Sequence, residues 1–251
     1  MTELGLSTVY RALGNDGSVA PASMRAVRGA LARLDGGCDV IVMNVPTLAN
    51  SFYNPIIEAA RQEATATGRS LVVTMDDLGD VDPLIKLAQR LGAVGLIVAN
   101  HVDGRLAKRL ESVIPTVAVS EGSVCDAIPY VSIDNVLSAQ MAVGHLLDIG
   151  RRRIAMMNGP LSFDFASARL AAAAIKACQE AGLSVPRDVA VCGHDRQPFG
   201  SFLTPSLTTV SQPVAQLGRT AVRLLLAILA GERPESVILP SELIVRHSTI
   251  E

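Results

Sequence analysis

Side chains suited to contacting a small polar ligand follow several apolar runs of this chain. They stand where strands are expected to end: Asn50, Phe52 and Tyr53, then Asp76 and Asp77, then Asn100 and His101, then Ser120 and Glu121. The chain has only five phenylalanines and three tyrosines, so the adjacent pair Phe52 and Tyr53 is notable. An aromatic surface beside carboxylates and amides is typical of a site for a polyol or nucleoside. The pattern predicts a small-molecule site, and the alternative for each polar residue is a helix cap or a turn.

Two other pairs of residues leave an enzymatic alternative open. Asp76 and Asp77 are adjacent carboxylates, while Cys192 and His194 are two residues apart and share one face if they lie on a strand. A thiol beside an imidazole is a nucleophile–base arrangement. The chain contains no G-x-S-x-G elbow, phosphate-binding loop, G-x-G-x-x-G turn or H-E-x-x-H motif. Catalysis is therefore the less favoured interpretation, and we expect that the protein is not an enzyme.

The stretch STVYRALGN, residues 7–15, predicts a short helix with one outward polar face. Arginine is the usual bidentate partner of guanine in the major groove, which makes Arg11 the natural base reader. The residues expected to contact DNA are Ser7, Thr8, Tyr10 and Arg11. An ordinary solvated helix is the alternative, because a net charge of +2 over residues 1–34 is too small to decide between the two.

The overall composition excludes several classes of protein. A formal net charge of −2 predicts no general affinity for nucleic acid or an anionic membrane, so DNA contact requires a local patch. No apolar run approaches about 18 residues and no export signal is recognised, which predicts a cytoplasmic protein without a membrane span. The four cysteines and four histidines are scattered without ligand spacing, so no metal or other cofactor is expected.

Apolar runs alternate with amphipathic stretches along most of the chain, which predicts an α/β fold. Strands are predicted at residues 38–45, 70–75, 94–99, 114–120, 153–159, 188–193 and 236–246. Helices are predicted at residues 54–68, 82–92, 135–150, 165–183 and 212–231. Because continuous apolar strands between helices form parallel sheets covered on both faces, we expect two doubly wound parallel-sheet lobes. The chain should cross between the lobes near residues 131–134 and 205–212.

The pattern predicts a helical amino-terminal segment, residues 1–35, followed by two lobes. Residues 38–131 plus 207–231 are expected to form the amino-terminal lobe, and residues 132–206 plus 236–251 the carboxyl-terminal lobe.

Three segments resemble the lactose-repressor/galactose-repressor (LacI/GalR) family of bacterial transcription regulators. They are LTPSLTTVSQPVAQLGRTAVRLLL (203–226), VSIDNVLSAQMAVGHLLDIGRRRIAMMNGP (131–160) and GLSVPRDVAVCGHD (182–195). The amino-terminal STVYRAL resembles the family's recognition helix. The resemblance implies a core like type I periplasmic sugar-binding proteins, dimerisation, operator binding and an effector held between the lobes. It implies no cofactor and no membrane partner.

The resemblance also ranks the candidate effector-binding residues, which are Asn50, Phe52, Tyr53, Asp76, Asn100, Arg169 and Asp195. The family's site pattern supports Phe52, Tyr53 and Asp195. Arg169 resembles the arginine that clamps the ligand from the second lobe. The expected effector is a sugar or related polyol, and an inducing or corepressing response is equally compatible with the sequence.

The chain departs from the family pattern in three places. By resemblance, residues 1–35 form a partial helix-turn-helix headpiece, in which only MTELGL precedes the recognition helix. Only Asp35, Gly36 and Gly37 separate this headpiece from the first strand, which leaves no hinge helix. The second lobe is one strand, one helix and one strand shorter than the resemblance implies. These departures keep open a second interpretation, a sugar-binding core whose headpiece no longer binds DNA.

Overall fold

The computed structural model describes residues 23, 39–76, 78–119, 127–155, 166–195 and 198–250. The DNA-contact residues predicted above, Ser7, Thr8, Tyr10 and Arg11, lie outside the described residues, as do Asp77, Ser120 and Glu121. The predicted headpiece, residues 1–35, therefore has no structural account apart from residue 23.

Helices and strands alternate along the first part of the described chain. They are β1 (Val40–Asn44), α1 (Tyr53–Ala66), β2 (Ser70–Thr74), α2 (Asp82–Arg90), β3 (Ala93–Val98), α3 (Gly104–Glu111), β4 (Thr116–Val119) and β5 (Tyr130–Ile133). The second part contains α4 (Asn135–Asp148), α5 (Ala166–Glu180), β6 (Cys192–His194), a 3₁₀ helix (Pro198–Phe202), β7 (Thr208–Ser211), α6 (Val214–Leu229), β8 (Val237–Leu239) and β9 (Glu242–Ile244). The α/β class predicted from the alternation is confirmed.

Backbone contacts divide the chain into two compact units. Unit 1 contains the described residues up to Pro46 together with Ile56–Val131 and Ala215–Val237. Unit 2 contains the described residues of Thr47–Pro55, Ser132–Val214 and Ile238–Glu251.

The larger sheet has six strands in the order β2-β1-β3-β4-β5-β8, and its strands β1 to β4 lie within unit 1. The pairings β1–β2, β1–β3, β3–β4 and β4–β5 are all parallel. Strand β1 is an unbroken apolar run apart from Asn44, and its residues from Ile41 onward are fully buried. A central parallel strand is covered on both faces, which explains why its sequence does not alternate between polar and apolar residues.

One short helix of unit 1 shows how local sequence and packing cooperate. Helix α3 begins after Asp103, whose carboxylate accepts a hydrogen bond from the backbone N–H of Leu106 at 2.8 Å. This bond favours the charged form and lowers the pKa of Asp103. Leu106 and Leu110 then lie on one face and join the core formed with α2 and β3. The sequence analysis did not predict α3, because eight residues with four charges give only two turns of apolar spacing.

Unit 2 contains a smaller sheet with the order β6-β7-β9. Strands β6 and β7 are parallel, and β9 runs antiparallel to β7. Helix α5 contributes Ala171 and Ile175 to a small core with Leu207. Among the described residues the second sheet therefore differs from the purely parallel sheet that we predicted, since its edge strand runs in the opposite direction.

Three further predictions of individual strands are wrong in detail. Of the strand predicted at 153–159, residues 153–155 form no strand, and residues 156–159 lie outside the described residues. The strand predicted at 188–193 is reduced to β6, because the backbone N–H of Val191 bonds to Ser248 instead of to a neighbouring strand. The single strand predicted at 236–246 is split into β8 and β9 at Pro240, which has no N–H for a sheet hydrogen bond. Strands β5 and β7 were not predicted.

Helices α1 and α6 approach each other closely at Gly218. A Cβ atom at this position would lie 2.1 Å from the carbonyl oxygen of Ile56 and 3.1 Å from the backbone nitrogen of Ala60. The same two helices are joined at the surface by Arg223, whose Nε donates to Glu63 Oε1 at 2.8 Å. An exposed ion pair contributes little, so the close backbone approach is the specific feature of this contact.

We expect Gly218→Ala to lower the free energy of unfolding of unit 1 by about 1–3 kcal/mol, because the added methyl group meets backbone atoms that cannot rotate away. Urea denaturation followed by circular dichroism measures the change. Gln216→Ala, an exposed position in the same helix, is the matched control and should stay within about 0.5 kcal/mol of the parent. Equal stability of the two variants would contradict the close approach of α1 and α6.

Candidate functional site

Unit 1 collects polar side chains at the carboxyl ends of β2, β1 and β3. These strands are adjacent and parallel, so the residues that follow them meet at one edge of the sheet, where open α/β sheets bind ligands. We call Asn44, Thr74 and Asn100, together with the backbone of Asp76, the amide cluster.

Asn44 is the centre of the amide cluster, and its side chain is fully buried. Its Nδ2 donates to Asn100 Oδ1 at 2.8 Å and to the carbonyl oxygen of Asp76 at 3.0 Å. Its Oδ1 accepts from Thr74 Oγ1 at 2.7 Å and from the backbone N–H of Asp76 at 2.9 Å. The carboxamide thus makes all four hydrogen bonds available to it, so it holds the strand ends in place and has no capacity left for a ligand.

Asp76 and Asn100, two of the predicted effector-binding residues, are brought together at this edge. Asn100 Nδ2 lies 3.3 Å from the carbonyl oxygen of Asp76, and Asn100 is 8% exposed. Asn100 keeps one N–H donor and one acceptor position beyond the bonds described. The half-buried carboxylate of Asp76 makes no hydrogen bond to another described residue, so it can accept from a ligand hydroxyl.

The three predicted residues that follow β1 belong to unit 2 and have strong local roles. Asn50 Oδ1 accepts from the backbone N–H of Phe52 at 3.0 Å, and the carbonyl of Asn50 accepts from that of Tyr53 at 3.2 Å. These bonds form a turn that starts α1. The rings of Phe52 and Tyr53 pack edge to face with centroids 5.3 Å apart, and both residues are buried. The sequence analysis expected an open aromatic surface, whereas little of either ring is exposed.

Unit 2 presents a carboxylate, Asp195, directly after β6. Gln212 directly follows β7, the parallel neighbour of β6, so the two residues lie at the same edge of the sheet. Gln212 Nε2 donates to Asp195 Oδ1 at 2.6 Å, and His194 Nδ1 lies 3.0 Å from the same oxygen. No described residue forms a hydrogen bond with Oδ2. One carboxylate oxygen is therefore fixed by neighbours while the other can accept from a ligand.

The backbone at Asp195 is unusual, with a φ angle of 65°. Residues other than glycine rarely adopt positive φ, although Asp and Asn do so more readily than others. Such conformations cost free energy and are concentrated at ligand sites and tight turns. The positive φ and the hydrogen bond from Gln212 together set the orientation of the Asp195 carboxylate, which the local sequence does not reveal.

Arg169, the last predicted effector residue, lies within α5, but its side chain lies outside the described residues. Sequence reasoning missed two residues that hold the candidate groups, Asn44 and Gln212. Each had a readable signal, since Asn44 is the one polar residue of an apolar run and Gln212 stands just past a strand, before Pro213.

Neither a metal centre nor a membrane span is found in the described parts of the chain. Within residues 39–76, 78–119, 127–155, 166–195 and 198–250, no three His, Cys, Asp or Glu side chains are grouped as metal ligands would be. None of the helices described there has the length and apolar character needed to cross a bilayer.

Two family models match this chain over overlapping regions. Residues 39–198 match the model described as periplasmic binding proteins and sugar binding domain of LacI family. Residues 152–249 match a periplasmic binding protein-like domain.

Relatives with similarity over nearly the whole chain are transcription regulators. The HTH-type transcriptional regulator MalR of Streptomyces coelicolor is 27% identical over 319 residues, covering 97% of this chain and 92% of the relative. Because this alignment is longer than the 251 residues of the chain, the relative carries internal segments with no counterpart here.

Solved structures show the same fold. The lac repressor dimer bound to operator and the anti-inducer ONPF has a TM-score of 0.78 at 21% identity, covering 98% of this chain and 95% of that one. A periplasmic binding protein/LacI transcriptional regulator from Alkaliphilus metalliredigens, complexed with D-xylulofuranose, has a TM-score of 0.72 at 25% identity, covering 85% and 100%. With more than half of its residues matched by the family's sugar-binding domain, this chain belongs to the LacI family of transcription regulators.

Proposed function

We propose that this protein is a ligand-responsive transcriptional repressor that binds a small sugar or related polyol and operator DNA. The match of residues 39–198 to the sugar-binding domain of the LacI family is the observation that carries the proposal. The relatives being regulators supports a regulatory rather than a catalytic role. A cytoplasmic homodimer is the form that we propose for the active protein.

The effector contacts proposed for unit 1 are Asp76 and Asn100. A sugar offers adjacent hydroxyl groups, each of which both donates and accepts a hydrogen bond. The Asp76 carboxylate accepts from one hydroxyl, and the remaining N–H of Asn100 donates to another. The buried Asn44 holds Asp76 and Asn100 in position before a ligand arrives. Binding therefore costs less conformational entropy at these two residues.

Asp195 is the strongest effector contact proposed for unit 2. A carboxylate held by Gln212 and His194 is oriented before ligand arrives, and its second oxygen accepts from a sugar hydroxyl. The relative from Alkaliphilus metalliredigens, complexed with a ketopentose, supports a ligand of this chemical class. Phe52 and Tyr53 are proposed to contact the apolar face of the sugar through the small part of each ring that is exposed. Asn50 and Arg169 remain predicted contacts.

The proposed DNA contacts are Ser7, Thr8, Tyr10 and Arg11, all outside the described residues. Effector binding that alters the spacing of two headpieces in a homodimer is the proposed route from ligand to DNA. A sugar-binding core without a working headpiece is the second candidate. The internal segments of the Streptomyces regulator that have no counterpart in this chain support that candidate.

The thiol–imidazole alternative is disfavoured by the environment of Cys192. Burial raises the pKa of the Cys192 thiol to about 11, which keeps the sulfur protonated at neutral pH. Its Sγ contacts the carbonyl oxygen of Gly193 at 3.6 Å. A protonated, half-buried thiol is a poor nucleophile.

We expect Asp195→Asn to weaken effector binding by about 10- to 100-fold, since a hydrogen bond to a charged group contributes about 1.5–3 kcal/mol. Asparagine accepts a positive φ, so the substitution removes the charge and keeps the backbone. A thermal-shift screen of sugars, nucleosides and polyols identifies the ligand, because binding to the folded state raises its stability. Isothermal titration then gives the affinities.

Glu232→Gln is the control for this substitution, because it makes the same change of charge at an exposed position. It should leave the affinity unchanged. An Asp195→Asn variant that binds as tightly as the parent would remove Asp195 from the site.

DNA binding is expected to be specific but weak, because few basic residues are available to neutralise phosphates, and for the same reason the affinity should fall only modestly as salt rises. Fluorescence anisotropy with an operator-like palindrome and a scrambled duplex, at several salt concentrations, measures both properties. Arg11→Ala should reduce the preference for the palindrome. Equal binding to both duplexes, or no binding even at low salt, would contradict a specific repressor and support a sugar-binding core without a working headpiece.

Below pH 9 a pKa near 11 leaves about 100-fold less thiolate than the ordinary pKa of 9.0, so alkylation of Cys192 should be slower by about this factor. Site-resolved mass spectrometry after iodoacetamide treatment at pH 8 measures the rate. The same peptide in 8 M urea gives the unprotected rate, and rapid labelling of native Cys192 would revive the nucleophile hypothesis.

A further inference from the structure

The segments that follow β1, β2, β3 and β4 carry charge of almost one sign. They are residues 45–52, 75–81, 99–103 and 120–129, and His101 is their only residue that can be positive. The four strands are parallel neighbours, so all four segments begin at one edge of the larger sheet, which we call the carboxyl edge. The segments contain no lysine or arginine and six acidic residues, Asp76, Asp77, Asp80, Asp103, Glu121 and Asp126.

Two helices that begin at the carboxyl edge already have a carboxylate at their amino-terminal ends. Asp103 Oδ1 accepts from the backbone N–H of Leu106 at 2.8 Å, where α3 begins. Asp80 Oδ1 accepts from the backbone N–H of Asp82 at 3.0 Å, where α2 begins. The amino-terminal end of a helix is the usual backbone site for an anion. A ligand anion would have to displace a side chain of the protein there, so these helix ends do not attract it.

The basic side chains close to the carboxyl edge are next to acidic ones. The backbone N–H of Leu106 and, to a smaller extent, the charge of Arg105 lower the pKa of Asp103. Arg109 Nε donates to Asp82 Oδ1 at 3.1 Å. These two arginines therefore offset carboxylates of unit 1, and they leave the charge around the amide cluster negative.

The available groups of the amide cluster suit a ligand that donates hydrogen bonds. Asn100 is more than nine-tenths buried and keeps one N–H beyond its bonds to Asn44 and Asp76. The carboxylate of Asp76 makes no hydrogen bond to another described residue and can only accept. A hydroxyl or ammonium group can donate to this carboxylate, whereas a ligand carboxylate or phosphate cannot donate and is repelled by the like charge.

We propose that the carboxyl edge selects a neutral or amine-bearing sugar and rejects acid sugars and sugar phosphates. This inference rests on the proposed function, in which a sugar binds at this edge, and it adds the charge class of the ligand. Discrimination of this kind depends on repulsion of the wrong ligand as much as on attraction of the right one. Asp76 is the specificity-determining residue, because its carboxylate is the available charge beside the buried Asn100.

The experiment compares sugars that differ only at carbon 6. One set is D-glucose, 6-amino-6-deoxy-D-glucose and D-glucuronate, and the other is the corresponding set of D-galactose. Isothermal titration of the full chain at neutral pH gives each affinity. In a set whose neutral sugar binds, the acid should bind about tenfold or more weakly, because a like charge about 4 Å away in partly hydrated surroundings has at least this effect. The amine should bind at least as tightly as the neutral sugar.

Asp76→Asn should reduce the acid-to-neutral ratio of dissociation constants by about fivefold, because it removes one like charge and keeps the size of the side chain. Added salt should reduce the ratio in the parent, since salt screens charge and leaves shape unchanged. Glu232→Gln, the same change at an exposed position of unit 1, is the control and should keep the parent ratio. Melting temperatures without ligand check folding, and Asp76→Ala replaces an Asp76→Asn protein that does not fold, with the same reduction of the ratio expected.

Three results would overturn the inference and leave a sugar-binding function standing. The first is an acid sugar that binds the parent as tightly as its neutral counterpart, in which case Arg169 of unit 2 is the candidate for neutralising it. The second is an acid-to-neutral ratio that does not change with salt, and the third is the parent ratio in both Asp76 variants. By contrast, no binding of any of the six sugars, together with no hit in the screen of sugars, nucleosides and polyols, would overturn the proposed function as well.

Discussion

The hydrogen-bonded carboxamide of Asn44 is the interaction on which the polar edge of unit 1 depends. It joins the ends of three parallel strands by using both of its donors and both of its acceptor positions. A buried polar group left without partners costs about 1–3 kcal/mol, so this arrangement is stable only when all three strands are in register. The register of these strands therefore also fixes the positions of Asp76 and Asn100.

In unit 2 the corresponding group at the edge of the sheet is the carboxylate of Asp195. Asp195 stands at a positive φ, and its orientation is fixed by Gln212 from the neighbouring strand and by the adjacent His194. Pre-orientation of this kind lowers the entropy that a ligand must remove on binding. The positive φ of Asp195 costs conformational free energy. Two residues earlier, Gly193 lies so close to Leu207 that a Cβ atom would be 2.9 Å from Leu207 Cδ2.

The sequence by itself determined the α/β class, the family and most of the long helices. Periodic apolar spacing over ten or more residues and continuous β-branched runs such as Val40–Asn44 are set by local geometry. Short elements were missed for the same reason, since α3 and β7 have too few residues for a period to be read. Asp76 and Asn100 lie just past the ends of β2 and β3, as the sequence predicted.

Only the tertiary structure decided which of those groups are structural and which are available. Asn50, a predicted contact, is occupied by the turn that begins α1, whereas Asn44, overlooked in the sequence, organises the edge. Phe52 and Tyr53 cover each other, and Asp195 acquires its orientation from Gln212, 17 residues further along the chain. Hydrogen-bond partners across strands and the burial of a ring depend on contacts distant in sequence, and no local pattern records them.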